Sequence, residues 1–302
     1  GICATGREYF DEPAVAAMVG CFPEDSFSIF DGFSGDRMGF LAGRGPVASR
    51  SEGYFAVVHA DPRDPEMMRR VPELAEVSSC FLVGGLASSR GAYAHVAGSL
   101  TESTLSGVMF SAEAPVTTAL TQGCSPIGPI REITQCHANI AIEIDGRAAL
   151  EVLKDDIGEV LAQDLRRIGG YIFAAFPVVG SDHADYMVRN LVGLDEERGR
   201  VAIGAPLEDG QRIMFCRRDG QTARDDLARM LGDLKRRSPT PIKGAVYFTC
   251  LGRGPQMFGA QSAELSAIQD ELGSVPLVGF FCNGEISHNR VYGYTGVLSL
   301  FL

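Results

Sequence analysis

Short apolar runs and helix-length amphipathic stretches alternate along this chain, and one arrangement of them occurs twice. In the later copy, an apolar run at 245–250 leads into the loop Leu251-Gly252-Arg253-Gly254. An amphipathic helix is predicted over 262–272, then a second apolar run over 276–282, the loop Asn283-Gly284-Glu285-Ile286-Ser287-His288, and a last strand over 295–301. The earlier copy keeps this order: strand 54–59, helix 65–77, strand 81–85, loop 87–90 and strand 105–110. Two apolar runs flanking one helix-length segment predict a βαβ unit with a right-handed crossover. Both loops of a unit are then expected at one edge of a parallel pair, where open α/β sheets bind their ligands.

Elsewhere the pattern predicts a helix by composition over 14–19, a strand over 26–30, and a Gly-, Ser- and Arg-rich loop with one short strand over 32–50. A strand at 116–120 is interrupted by Gln122-Gly123-Cys124-Ser125-Pro126-Ile127-Gly128-Pro129, whose prolines and glycines fix an irregular backbone. A strand at 139–144 ends in the turn Asp145-Gly146. Helical spacing of Leu150, Leu153, Ile157, Val160, Leu161 and Leu165 predicts one helix over 148–168, stopped by Gly169-Gly170. Strands are predicted at 171–179, 200–203 and 212–216, the last two joined as a hairpin by Asp209-Gly210, before an amphipathic helix at 222–237. Residues 1–8 echo 279–285 in their order of strand, Cys, small polar residue, Gly and acid, which predicts a third copy lacking its first strand and helix.

At 302 residues with 45% hydrophobic and 22% charged content, the chain can bury more than one core, and two domains are expected. A formal net charge of −11 argues against nucleic acid, because phosphate neutralisation needs a basic face. No apolar stretch reaches membrane-spanning length and no signal peptide opens the sequence, so a cytoplasmic protein is expected. Eight cysteines show no Cys-x-x-Cys pair, and those inside apolar runs read as reduced, buried thiols rather than as metal ligands. No metal is expected.

The chemistry expected at the later repeat is that of ion recognition. Arg253 follows one parallel strand, and Asn283 and Glu285 follow its partner, so the three can converge. A guanidinium holds a carboxylate, while a carboxylate and an amide hold an ammonium, which suits an amino acid. Gly252, Gly254 and Gly284 give these loops their freedom. The competing reading is a structural Arg253–Glu285 salt bridge. The glycine spacing fits neither the dinucleotide fingerprint nor a phosphate-binding loop. Cys124, held between Gly123 and Ser125-Pro126, is either a nucleophile served by His59 or His137, or a packed turn residue. His59 ends a strand as Cys250 does in the other repeat, and it lines the same cleft if the repeats pack face to face.

Tyr247-Phe248-Thr249-Cys250-Leu251-Gly252-Arg253-Gly254 and Pro276-Leu277-Val278-Gly279-Phe280-Phe281-Cys282-Asn283-Gly284-Glu285-Ile286 resemble the FIST family, sensory domains named for F-box and intracellular signal transduction proteins. Val83-Gly84-Gly85-Leu86-Ala87-Ser88, the Gln122–Pro129 segment and Ile144-Asp145-Gly146-Arg147-Ala148-Ala149 extend the resemblance over essentially the whole chain. It implies an α/β protein of two related domains, at 1–147 and 148–302, with mixed sheets and a ligand cleft at strand-end loops. It implies a non-catalytic sensor of a small ligand such as an amino acid, acting on a signalling partner such as a sensor kinase or a cyclic-nucleotide enzyme. Two alternatives stay open: haem as a cofactor for nitric oxide sensing, with His59, His137 or His288 as candidate ligands, and a thiol-dependent enzyme using Cys124.

Overall fold

The computed structural model describes residues 1–33, 35, 40, 54–89, 91, 95–178, 180 and 185–302. Most of the loop expected over 32–50, and Arg90 and Val179 at the ends of other expected elements, lie outside these residues. The chain is mixed α/β and divides into two compact units, residues 1–122 with 223–302, and residues 123–222.

Both repeats lie in the first unit, each at the centre of a six-stranded mixed sheet. One sheet runs Arg7–Tyr9, Ile2–Ala4, Leu277–Cys282, Gly244–Cys250, Thr295–Phe301, Val116–Gln122. The other runs Arg290–Tyr292, Glu285–Ser287, Phe81–Leu86, Phe55–Ala60, Leu105–Phe110, Phe27–Asp31. In each, the two strands of the βαβ unit are parallel and their neighbours antiparallel, so the sheets share one construction. Tyr247 faces Gly279 as Val58 faces Gly84. These two glycines are obligatory: a Cβ would stand 1.7 Å from the Tyr247 carbonyl oxygen at Gly279 and 1.8 Å from that of Val58 at Gly84.

The edge hairpins cross between sheets. Residues 283–288, expected as a loop, instead carry the chain from Cys282 into the strand Glu285–Ser287, which pairs with Phe81–Leu86 of the other sheet. The hairpin Ile2–Ala4 with Arg7–Tyr9 occupies the same place beside Leu277–Cys282, Cys3 facing Gly279 as Ile286 faces Gly84. Residues 1–9 therefore correspond to the hairpin at 285–292, and the expected match to 279–285 has the wrong register.

Packing follows from the alternation along each strand. One face of the second sheet takes Val71, Leu74 and Ala75 from helix Met67–Ser78. One face of the first takes Leu227, Met230 and Leu231 from helix Gly220–Arg237, and Leu265 and Ile268 from helix Ala263–Leu272. The remaining faces meet each other through Phe55, Val83, Phe110, Phe248, Val297 and Phe301. The unit is thus layered helix, sheet, sheet, helix. Residues 14–19 form no helix; Val15 and Val19 are 94% and 95% exposed, and a segment this short without a buried face does not repay helix nucleation.

In the second unit, antiparallel strands close a barrel in the order Arg212–Arg218, Arg131–His137, Ile140–Ile144, Arg200–Ile203, Tyr186–Asp195, Ile172–Pro177 and back to Arg212–Arg218. The expected 200–203 to 212–216 hairpin does not form. Asp209-Gly210 supplies the turn, but closure gives each of these strands other neighbours, because a turn sets a local bend and not a pairing partner. The expected single helix at 148–168 is broken by Gly158 at φ 79° into Ala149–Ile157, Glu159–Ala162 and a 3-10 turn at Leu165–Ile168. Leu150, Val152 and Leu153 join Ile133, Ile172 and Phe215 in the core.

Gly279→Ala and Gly84→Ala are expected to lower the unfolding free energy of the first unit by at least ~3 kcal/mol, since the obstacle is backbone and cannot turn aside. Urea titration followed by circular dichroism checks this; near-wild-type midpoints would refute the strand register.

Candidate functional site

Arg253 closes a tight turn after strand Gly244–Cys250, its backbone N–H donating to the Cys250 carbonyl at 2.8 Å, with Gly252 and Gly254 on either side. The turn aims the side chain inward, where it is 1% exposed. Its partner is Glu264, on the first turn of helix Ala263–Leu272: Nε donates to Oε1 at 2.8 Å and Nη2 lies 2.6 Å from the same oxygen. Tyr247 Oη donates to Glu264 Oε1 at 2.6 Å, and Thr249 Oγ1 to Oε2 at 3.3 Å. The Phe258 ring lies 5.1 Å from the guanidinium carbon. Burial works against the charge on Arg253, but Glu264, with Tyr247, outweighs it and holds the pKa above its ordinary value. Arg253 Nη1 has no hydrogen-bond partner among the described residues.

Glu285 is fully buried at the start of the crossed hairpin. Its Oε2 accepts from Thr295, from the backbone N–H at 3.1 Å and from Oγ1 at 2.8 Å. Oε1 has no N–H or O–H partner among the described residues, only the Cys250 thiol beside the carboxyl. Burial raises the Glu285 pKa to about 8, against the pull of Thr295 and the more distant Arg253. Glu285 is therefore mostly neutral at pH 7. Cys250 and Cys282 face each other at the ends of the parallel strands, and burial pushes both thiols up, which keeps them protonated.

Arg253 and Glu285 thus share one electrostatic neighbourhood but form no ion pair, and the expected Arg253–Glu285 bridge gives way to Arg253–Glu264. Neither lies at an exposed loop edge. Asn283 is exposed and donates from Nδ2 to the Ala87 carbonyl at 3.2 Å, so it ties two loops together instead of joining the cluster. Gly284, at φ 149°, lets the crossing strand pass Val291 and Leu86, which a Cβ would meet at 2.8 and 3.1 Å.

The repeats do pack face to face, and His59 lies between them, edge-on to Phe280 at 5.0 Å and Phe248 at 6.0 Å. By register it mirrors Phe248, not Cys250. Much of its ring is accessible within that space, yet protein surrounds it; this enclosure and His95 lower its pKa to about 4. Cys124 belongs to the barrel unit, where it is buried beside the Cys216 thiol and its carbonyl accepts from Tyr186 Oη. His137 is exposed, and His288 Nδ1 bonds Asn289 Oδ1 at 3.0 Å on an exposed turn. No cluster of metal-ligating side chains occurs among the described residues.

Two buried carboxylates escaped the sequence reading. Glu264 stands four residues before Ile268 on the buried stripe of its helix, and an acid on an apolar face was the available signal. Glu8 is held by reciprocal bonds with Ser262, its N–H donating to Ser262 Oγ at 2.9 Å and its Oε2 accepting from the Ser262 N–H at 3.0 Å. Burial raises its pKa to about 7.

A carboxyl whose folded pKa lies above its ordinary value keeps a proton that the unfolded chain has released. The stability from Glu285 is fully present below pH 4.5 and is lost as pH rises through about 8, and Glu8 acts in the same direction. Asp61 and Asp64, whose pKa values are lowered, act only at more acid pH, whereas His59 and His95, lowered mainly by burial, cost stability as pH falls from 6.5 towards about 4 and offset part of the gain at about pH 5.5. The first unit should melt at higher temperature near about pH 5.5 than near about pH 8.5, and Glu285→Gln should remove much of that loss. An unchanged pH profile in Glu285→Gln would count against the assignment. Arg253→Ala should cost about 3–5 kcal/mol by leaving Glu264 buried and unpaired, and Arg253→Met with Glu264→Leu should recover most of it in chemical denaturation.

A protein of Mycobacterium tuberculosis, itself uncharacterised, is 34% identical over 194 residues, covering 61% of this chain and 50% of its own length. One of Mycobacterium bovis is 33% identical over 192 residues, with the same coverage. The chain spans about half the length of these relatives. The FIST N domain profile matches residues 1–147 and the FIST C domain profile residues 149–288. The crossed βαβ repeats are thus the structural form of a known sequence pattern, and the chain belongs to the FIST family of sensory domains in signal transduction.

Proposed function

We propose that this chain is a non-catalytic, cytoplasmic sensory module that binds a small zwitterion of the amino-acid class at the Arg253–Glu264–Glu285 cluster. The observation that carries the reading is a pair of buried polar atoms of opposite preference: the donor Arg253 Nη1, without a partner among the described residues, and the acceptor Glu285 Oε1, which has only the Cys250 thiol beside it. Buried polar atoms are nearly always paired, and those left open mark places where a missing group belongs. A ligand carboxylate satisfies Nη1, and a ligand ammonium satisfies Glu285 once that carboxyl ionises. Binding therefore releases a proton near pH 7, because Glu285 is mostly protonated beforehand.

The signal travels by population shift. Glu285 starts a hairpin that belongs in sequence to one repeat and in space to the sheet of the other, so ionising and capturing it biases how the repeats hold each other. The receiving partner is a signalling protein such as a sensor kinase or a cyclic-nucleotide enzyme. Haem is a second reading, and His59 favours it: a neutral imidazole with accessible space beside it is what haem iron takes as a ligand, and the iron would supply gas binding. A thermal-shift screen against amino acids, with the absorbance spectrum taken first, tests both. Stabilisation by one class is expected, reduced about tenfold in affinity by Glu285→Gln and by Thr295→Val. Calorimetry in buffers of different ionisation enthalpy should show proton release. No stabilisation by any amino acid would overturn the zwitterion reading, and a Soret band lost in His59→Ala would establish haem in its place.

A further inference from the structure

We propose that the space between the two sheets holds a second ligand site at the edge opposite the Arg253 cluster, and that it takes a medium-chain fatty acid whose carboxylate is held by Lys243. Arg253 and Glu285 follow the C-terminal ends of the parallel strands. At the other end, beside Gly244 and Pro276, lies a cavity of about 570 Å³. That volume falls in the range of small-ligand pockets. Its walls are apolar side chains from both sheets, Val57, Val108 and Phe110 from one and Val246 and Phe301 from the other. An apolar-lined recess of this size, partly open to solvent, suits a ligand with an apolar body and a polar end.

The roof is a strap without regular secondary structure, Met18 to Pro23. It is pinned at two points. The Phe22 ring packs on Phe110 at 5.2 Å and Phe301 at 5.6 Å, and Met18 Sδ lies 3.2 Å from where a Gly244 Cβ would stand. Val19 between them is 95% exposed, so lifting the strap forfeits only the Phe22 and Met18 contacts and gives a chain-like ligand a route in.

Charge at the mouth selects the head group. Lys243 is exposed there, and its Nζ donates to the Leu302 main-chain oxygen at 2.8 Å, which engages one of three N–H donors. Glu113 on the same rim disfavours polyanions and limits the ligand to a single carboxylate. Apolar walls with one fixed ammonium are the complement of a monocarboxylate with a hydrocarbon tail.

The test is displacement of dansyl-labelled undecanoate from the chain. Dodecanoate should displace it saturably, and dodecanol should be at least about tenfold weaker. Lys243→Ala should weaken dodecanoate about tenfold while leaving dodecanol unchanged. The cavity-filling variants Val246→Phe and Val108→Phe, each verified by a cooperative melt, should abolish probe binding, and Glu285→Gln should not alter it. Non-saturable binding, or binding indifferent to both filling variants, would overturn the site. Equal affinity for dodecanoate in Lys243→Ala would overturn the carboxylate assignment. Loss of binding in Glu285→Gln would show that the two sites are one.

Discussion

A guanidinium without water is the constraint around which the first unit is arranged. Arg253 is 1% exposed, and an uncompensated charge at that depth is intolerable. Glu264 supplies the compensation, and its two oxygens also collect Tyr247 and Thr249. One carboxylate thus fixes a turn, two strand residues and the first turn of a helix. Replacing such a pair by apolar residues is often neutral for stability, so the pair organises this corner of the unit more than it stabilises it. The open Nη1 atom is the feature on which the proposed recognition rests.

The crossed hairpin brings a second carboxyl within the electrostatic reach of Arg253. Glu285 follows the strand Leu277–Cys282 in the chain but pairs with Gly85 in the other sheet, which brings it against Thr295 and Cys250. The crossing depends on backbone approaches that only glycine allows, at Gly84 and Gly279 within the sheets and at Gly284 on the way between them. Each repeat is incomplete without a hairpin supplied from elsewhere in the chain, and Glu285 bonds to residues of both sheets.

The space between the sheets is divided by polarity. At the ends of the parallel strands it holds Glu285, Cys250, Cys282 and, beyond the Phe248 and Phe280 rings, His59. At their beginnings it is lined by Val57, Val108, Val246 and Phe301. Alternation along the strands places both sets on one face, and their position along the strands separates them. One unit thereby contains two chemically unlike environments.

The sequence by itself determined the repeated βαβ unit. Strands Thr295–Phe301 and Leu105–Phe110 lie where apolar runs predict them, and helices Met67–Ser78 and Ala263–Leu272 fall within two residues of expectation, because strand and helix periods are local properties. It also named Arg253 and Glu285 as candidate ion-recognition residues, and both are buried. Tertiary structure decided what each of them meets. Arg253 meets Glu264, eleven positions along, because the helix folds back over the strand ends. Glu285 becomes a neutral acid because a hairpin crosses between sheets. Pairing partners, barrel closure at Arg212–Arg218 and burial are long-range outcomes, set by which surfaces exclude water together, and no local pattern encodes them.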